Sequence, residues 1–154
     1  MGNFVKDLKV GEIGEKVVRE YLERLGYKVE NVTNIKEYQN KDIDFIVKKE
    51  GFKTELPIEI KTDTLAHKTG NLAYEFYSNK YIKSKGCFEK TQAKYIFYYL
   101  SKTNTLYKIA VKELRQYVRR KFAGKKMIAM GDSANGFLIK IKDLETEKIA
   151  IKIF

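Results

Sequence analysis

The stretch NKDIDFIVKKEGFKTELPIEIKTDT, residues 40–64, sets acids and a lysine among apolar residues. Asp42 and Asp44 stand before Phe45-Ile46-Val47, and Glu59 and Lys61 alternate with Ile58 and Ile60. Side chains along a strand point alternately to opposite faces. Glu59 and Lys61 therefore share one face and Ile58 and Ile60 the other. If the two runs pair as strands, the acids and the lysine can meet on one face of a sheet. Burying a carboxylate or an ammonium without a partner is costly. A sheet tolerates the cluster when the carboxylates bind a cation and the lysine sits beside them. Oxygen donors of this kind suit Mg2+, which keeps several waters and takes one or two protein carboxylates; Mn2+ has similar preferences. Such a metal with a lysine nearby is a hydrolytic arrangement, able to activate water and to stabilise charge on a phosphoryl group. Asp42 and Asp44 compete for the ligand role, and Asp42 has a turn reading besides.

The elements that must hold these residues follow from pattern. Residues 10–25, VGEIGEKVVREYLERL, repeat apolar side chains at the helical period through Ile13, Val17, Val18, Tyr21, Leu22 and Leu25. Gly26 ends that helix, and YKVENVT then reads as a short strand. Residues 43–49 and 57–62 read as strands joined by a turn, and 71–77, 94–100 and 105–110 as further strands. Residues 111–122 form an amphipathic helix with Val111, Leu114, Val118 and Phe122 on its apolar side. GFLIKI and KIAIKIF close the chain as late strands. Strands mixed with two longer helices predict an α/β or α+β sheet domain.

The chain has 154 residues and shows neither a linker nor a repeat, so residues 1–154 are expected to form a single domain. No run of apolar residues is long enough to cross a membrane, and the N-terminal stretch has no apolar signal core. One cysteine, Cys87, cannot close an internal disulfide. These features predict a cytoplasmic protein in a reducing compartment. Lys and Arg total 31 against 20 Asp and Glu, a formal net charge of +11, which favours a polyanionic partner. A solvated, Lys-rich surface is the plainer account of the same number.

Asp44, followed fifteen residues later by Glu59-Ile60-Lys61, resembles the signature of the PD-(D/E)XK nuclease superfamily, which includes restriction endonucleases and Holliday junction resolvases. IDFIV followed by LPIEIK is similar to the usual form, an Asp before apolar residues and then apolar-Glu-apolar-Lys. The proline before the aspartate is absent, since Ile43 precedes Asp44. GEIGEKVVREYLERLGYKV resembles the opening helix of resolvase-like members, in which a Glu after a small residue completes the site; here that is Glu15. On a helical wheel Glu15 falls at the edge of the apolar face and Glu12 points away from it. The resemblance covers about the first half of the chain.

It implies a restriction-endonuclease-like mixed β-sheet core flanked by helices, and a Mg2+- or Mn2+-dependent nuclease acting on DNA. Asp44 and Glu59 would hold the metal, Lys61 would orient the attacking water and meet developing charge, and Glu15 would support the site. It also allows a homodimer, because members that cut both strands bring two sites together. The alternative is a nuclease-fold module that binds nucleic acid or a protein without catalysis. Glu59 and Lys61 would then be an exposed ion pair on a strand, and Glu15 a solvated helix acid.

Basic residues recur in two places. Lys80, Lys83, Lys85 and Lys90 are interspersed with Tyr81 and Phe88, and Lys112, Arg115 and Arg119 follow one face of the 111–122 helix. Both suit phosphate contacts, with aromatics available for stacking on bases. His67 reads as a solvated loop residue and Glu75 as structural. Cys87 has no sequence partner that would make it a nucleophile. No His/Cys cluster with zinc spacing and no phosphate-cradling Gly loop is present, so no small-molecule cofactor is expected.

Overall fold

The computed structural model describes residues 2–154, with side chains from Val5 onward; Met1, the first residue of the expected single domain, lies outside them. Helix α1 (Gly2–Arg24) leads into strand β1 (Tyr27–Asn31), with Gly26 at φ 83 supplying the left-handed turn between them. After a short helix α2 (Lys36–Gln39), β2 (Phe45–Lys49) and β3 (Glu55–Asp63) form an antiparallel hairpin in which Phe45 lies opposite Ile58. The crossover from β3 runs through α3 (Ala66–Thr69), β4 (Asn71–Asn79), β5 (Ser84–Lys85) and α4 (Cys87–Lys90). It returns as β6 (Tyr95–Leu100), parallel to β3, and turns back through β7 (Thr105–Ala110). Helix α5 (Val111–Lys121), β8 (Ile128–Ala129), β9 (Asn135–Lys140), α6 (Ile141–Thr146) and β10 (Ala150–Lys152) complete the chain.

The strands make a six-stranded mixed sheet in the order β1-β2-β3-β6-β7-β10 and a four-stranded sheet in the order β5-β4-β9-β8. The expected α/β fold, a mixed sheet flanked by helices, is what is observed. YIFYYL explains the layering: Ile96, Tyr98 and Leu100 belong to one buried cluster and Phe97 and Tyr99 to another. A strand covered on both faces reads as a continuous apolar run. On one face, Val18 and Leu22 of α1 pack with Phe45, Val47, Ile58 and Ile60. On the other, Val111, Leu114 and Val118 of α5 join Leu72, Tyr74 and Ile139 of the smaller sheet. No helix among the described residues is long and apolar enough to cross a membrane.

Two boundaries differ from the sequence expectation. Helix α1 starts eight residues earlier than residue 10; Val5 and Leu8 in its first turns are about half exposed, and so are Ile13 and Leu25, which the helical period sets on the apolar face. Strand β2 begins at Phe45 and not at residue 43, because Asp42 adopts φ 47, a left-handed conformation that Asp tolerates and a strand does not. Asp42 and Asp44 therefore do not share a strand face.

Helix α1 crosses β3 at a glycine. A Cβ built on Gly14 would lie 1.9 Å from the Thr62 hydroxyl oxygen and 3.7 Å from Ile60 Cγ2. Gly11, one turn earlier, has nothing within 4 Å. Ala is favoured over Gly inside a helix by about 1 kcal/mol, so Gly11→Ala should raise the melting temperature by roughly 2–4 °C. Gly14→Ala should lower it, since overpacking costs about 1–3 kcal/mol. In a Thr62→Ala background the cost of Gly14→Ala should shrink, because the hydroxyl is gone and only the Cβ of residue 62, 3.3 Å away, remains close. Thermal melting of the four variants tests this, and an undiminished cost of Gly14→Ala in the Thr62→Ala background would place the contact elsewhere.

Candidate active site

The hairpin register that pairs Phe45 with Ile58 brings Asp44 next to Glu59 where β2 begins. The Asp44 N–H donates to the Ile58 carbonyl at 2.9 Å, and Asp44 Oδ2 accepts from the Ile60 N–H at 2.8 Å. The carboxylate is thus clamped in the fork where the two strands part. Glu59 lies one residue before Ile60 on the opposite face of β3, and only 6% of it is exposed. Lys61 Nζ stands 3.7 Å from Glu59 Oε1, with its side chain about two-fifths exposed. Glu15, on the turn after the close approach at Gly14, looks over the same place. Asp7, Glu15, Asp44, Glu59 and Lys61 line one cleft of about 400 Å3.

All three predicted carboxyls carry raised pKa values. Burial, and then the neighbouring Asp44 charge, push Glu59 up to about 8, against the pull of Lys61. Burial lifts Asp44 as well, although the Ile60 N–H and Lys61 oppose it. Glu15 is lifted by burial, then by Asp44 and Glu12. Burial works against the Lys61 ammonium, yet Cys87, Glu59 and Asp44 around it outweigh burial and hold it at about 12. Burial also holds the Cys87 thiol well above the usual range.

The donor chemistry fits a hard divalent cation. Among the described residues no three His, Cys, Asp or Glu side chains enclose a metal by themselves. Asp44 and Glu59 offer two oxygen-donor groups facing an open cleft, the number that suits an ion retaining its waters. Burial is the chief cause of their raised pKa values, and a bound cation would favour the ionised forms that burial disfavours.

Asp42 and His67 are placed apart from the cleft. Asp42 pairs with Lys90 at 3.1 Å, and its carbonyl accepts from the Thr91 hydroxyl at 2.6 Å, so it ties the turn to the segment before β6. His67 sits on α3, outside the carboxylate cleft. Cys87, read from sequence as incidental, places Sγ 3.4 Å from Glu59 Oε1 and forms a wall beside it. Asp7 in the cleft was also not singled out. Its only sequence signal is its place two turns before Glu15.

The basic face of α5 divides. Arg115 donates from Nε to the Phe88 carbonyl at 2.7 Å and from Nη2 to the Thr91 carbonyl at 2.6 Å, fastening α4 to α5. Arg119 reaches the nearly buried carboxylate of Glu89 at 3.0 Å, which also accepts from the Tyr74 hydroxyl. Lys112 is exposed and makes no ion pair among the described residues. With Lys94 and Arg119 it lines a groove of about 460 Å3 that shares no lining residue with the carboxylate cleft. Arg115→Ala should therefore destabilise the fold by about 2–3 kcal/mol, the scale of hydrogen bonds from a charged donor. Lys112→Ala should leave melting unchanged and weaken polyanion binding. Equal melting of the Arg115→Ala variant and wild type would return Arg115 to the free cations.

No family model matches the chain, and neither does any curated protein. Among solved structures it is similar to a bacterial homing endonuclease, I-Ssp6803I, with a TM-score of 0.52 and 17% identity over 70% of this chain and 71% of that one. At this identity the likeness is one of fold.

Proposed function

We propose that the chain is a divalent-metal-dependent endonuclease of the PD-(D/E)XK type that hydrolyses phosphodiester bonds in DNA. The observation that carries this reading is the convergence of Asp44, Glu59 and Lys61 on one cleft from two adjacent strands, with Glu15 above them. The fold likeness to a protein named as an endonuclease supports it, as does the net charge of +11.

Asp44 and Glu59 would hold Mg2+ or Mn2+, whose part is to place positive charge at the scissile phosphate and make water easier to deprotonate. The Ile60 N–H keeps Asp44 in one orientation, so ordering costs little when the ligand arrives. Lys61 stays an ammonium at neutral pH. It would orient the attacking water and donate a hydrogen bond to a non-bridging phosphoryl oxygen, where charge grows as the new P–O bond forms and the P–O bond to the leaving oxygen breaks. The water's proton would pass to solvent in the open cleft. Glu15, raised above its ordinary pKa by burial and then by Asp44, would accept a hydrogen bond from a water at the cleft mouth. Lys112 and Arg119 add positive potential along the α5 face, with Arg119 already half committed to Glu89. Cutting both strands of a duplex would call for two copies. A lone, unpaired Cys87 is in keeping with action in the cytoplasm.

The test is incubation of wild-type protein with plasmid DNA in Mg2+, in Mn2+ and in EDTA. Cleavage is expected in either metal and none in EDTA. DNA bound without cutting under all three conditions would leave the fold serving as a binding module.

A further inference from the structure

The four-residue tip between β4 and β5 carries Lys80, Tyr81, Ile82 and Lys83. Tyr81 and Ile82 are each 75% exposed, the most exposed large apolar side chains among the described residues. Nothing in the core accounts for them. Their surroundings have one sign: from residue 76 to residue 88 the chain has three lysines, Lys80, Lys83 and Lys85, and no acid.

The tip is built to hold its shape. Asn79 Oδ1 accepts from the Tyr81 N–H at 3.0 Å and from the Ile82 N–H at 3.4 Å, and the Lys80 ammonium lies 5.3 Å from the centre of the Tyr81 ring. Ser78 and Ser84 join hydroxyls across the base at 3.1 Å, and the Lys80 N–H donates to the Ser133 carbonyl at 2.8 Å. Two apolar side chains are therefore presented outward on an ordered turn framed by cations.

The tip is also continuous with the cleft. Strand β5 runs into Gly86, which passes so close to Glu75 that a Cβ would lie 2.0 Å from its carbonyl oxygen. The next residue, Cys87, touches Glu59. Five residues of extended chain span about 17 Å at most, so Ile82 lies within about half a helical turn of DNA from Cys87.

We propose that this hairpin tip docks on duplex DNA beside the scissile bond, with Tyr81 and Ile82 inserted into a groove and Lys80, Lys83 and Lys85 against the flanking phosphates. Apolar wedges framed by cations act in this way in grooves, where partial unstacking and bending let more surface engage. An anionic membrane is the other surface with this chemistry. Two apolar residues on a turn offer far less area than an amphipathic helix laid in the interface, so duplex DNA is favoured. The position beside the cut rests on the nuclease reading; the docking does not.

The chain has no tryptophan, so Tyr81→Trp introduces a single indole at the tip, which can be excited at wavelengths the remaining tyrosines do not absorb. In EDTA, where cutting plays no part, its emission should shift and quench on adding a duplex of about 30 base pairs. Neither heparin nor vesicles containing phosphatidylserine should do the same. By anisotropy of labelled duplex, Tyr81→Ala with Ile82→Ala should weaken binding about tenfold with the salt slope unchanged. Replacing the three lysines with Ala should flatten the slope of log affinity against log salt by roughly 2.7. Both sets should melt as wild type does. Unchanged emission in a complex that forms by anisotropy, an equal response to heparin, a response to vesicles alone, or wild-type affinity in the double Ala variant each overturns the proposal. Docking at the tip without cleavage once Mg2+ is restored sinks the nuclease reading and leaves the docking intact. No duplex binding by wild type sinks both.

Discussion

Glu59→Ala should abolish metal-dependent cleavage, by roughly a thousandfold or more, while duplex binding in EDTA stays within about twofold of wild type. Two losses combine in this variant. Removing one of two carboxylate donors weakens metal binding by about 10–100-fold or more, the scale seen even for groups that only support the ligands. Removing a group that stabilises transition-state charge costs a further 10²–10³ in rate. The basic surface is untouched, so binding remains. Asp44→Ala should behave alike, because its carboxylate shares the fork with Glu59 and no neighbour can replace it. Lys61→Ala should lose rate with metal affinity nearly kept or improved, because an ammonium beside the site repels a cation. Asp42→Ala should cost much less, since Asp42 spends its carboxylate on Lys90 and its carbonyl on Thr91. Cleavage at the wild-type rate by the Glu59→Ala variant refutes the assignment. A larger loss from Asp42→Ala than from Asp44→Ala would move the ligand role to Asp42.

The pair of strands that carries this site was legible because its signals are local. Alternation in LPIEIK fixes which side chains share a face, and the turn between the strands sets the register that puts Asp44 beside Glu59. The buried run YIFYYL announced a strand covered on both sides. What stayed hidden depends on contacts between distant parts of the chain. The smaller sheet forms by pairing Tyr74 with Phe137 and Leu72 with Ile139, and nothing in either segment names its partner. Helix α6 is six residues long and continues the apolar run of β9, so its period is too short to read. Cys87 looked idle because its partner, Glu59, arrives only through the crossover. Arg115 looked like a free cation because a helical wheel shows charge on a face and not the carbonyls of Phe88 and Thr91 waiting beside it. Gly14 was visible as the small residue before Glu15, but its reason, the Thr62 hydroxyl, is a tertiary fact.

The charge cluster also predicts how stability should depend on pH and metal. Glu59 has a pKa of about 8 in the fold against an ordinary 4.5. Between those values the native state keeps a proton that the unfolded chain has released. Stability therefore falls as pH rises through this window, and the contribution is flat below about 4.5 and above about 8. For so buried a carboxyl the loss is on the order of 4 kcal/mol, at about 1.4 kcal/mol per pH unit, or on the order of 10 °C in melting temperature. Glu59→Gln removes the ionisation and keeps the shape. The metal-free variant should melt close to wild type at pH 5 and well above it at pH 8.5; comparing the two proteins cancels the titration of the rest of the chain. Mg2+ should restore wild type, because it binds the ionised pair in the native state and not the unfolded chain. At a hundredfold excess over Kd the gain is about 2.7 kcal/mol. It should be larger at pH 8 than at pH 6, where binding must first displace a proton. The variant should gain much less at either pH. Melting of both proteins at fixed ionic strength, with and without Mg2+ across this range, is the measurement. Equal Mg2+ shifts in the two would assign the cation effect to other carboxylates, and parallel pH profiles without metal would show that Glu59 is already ionised in the fold.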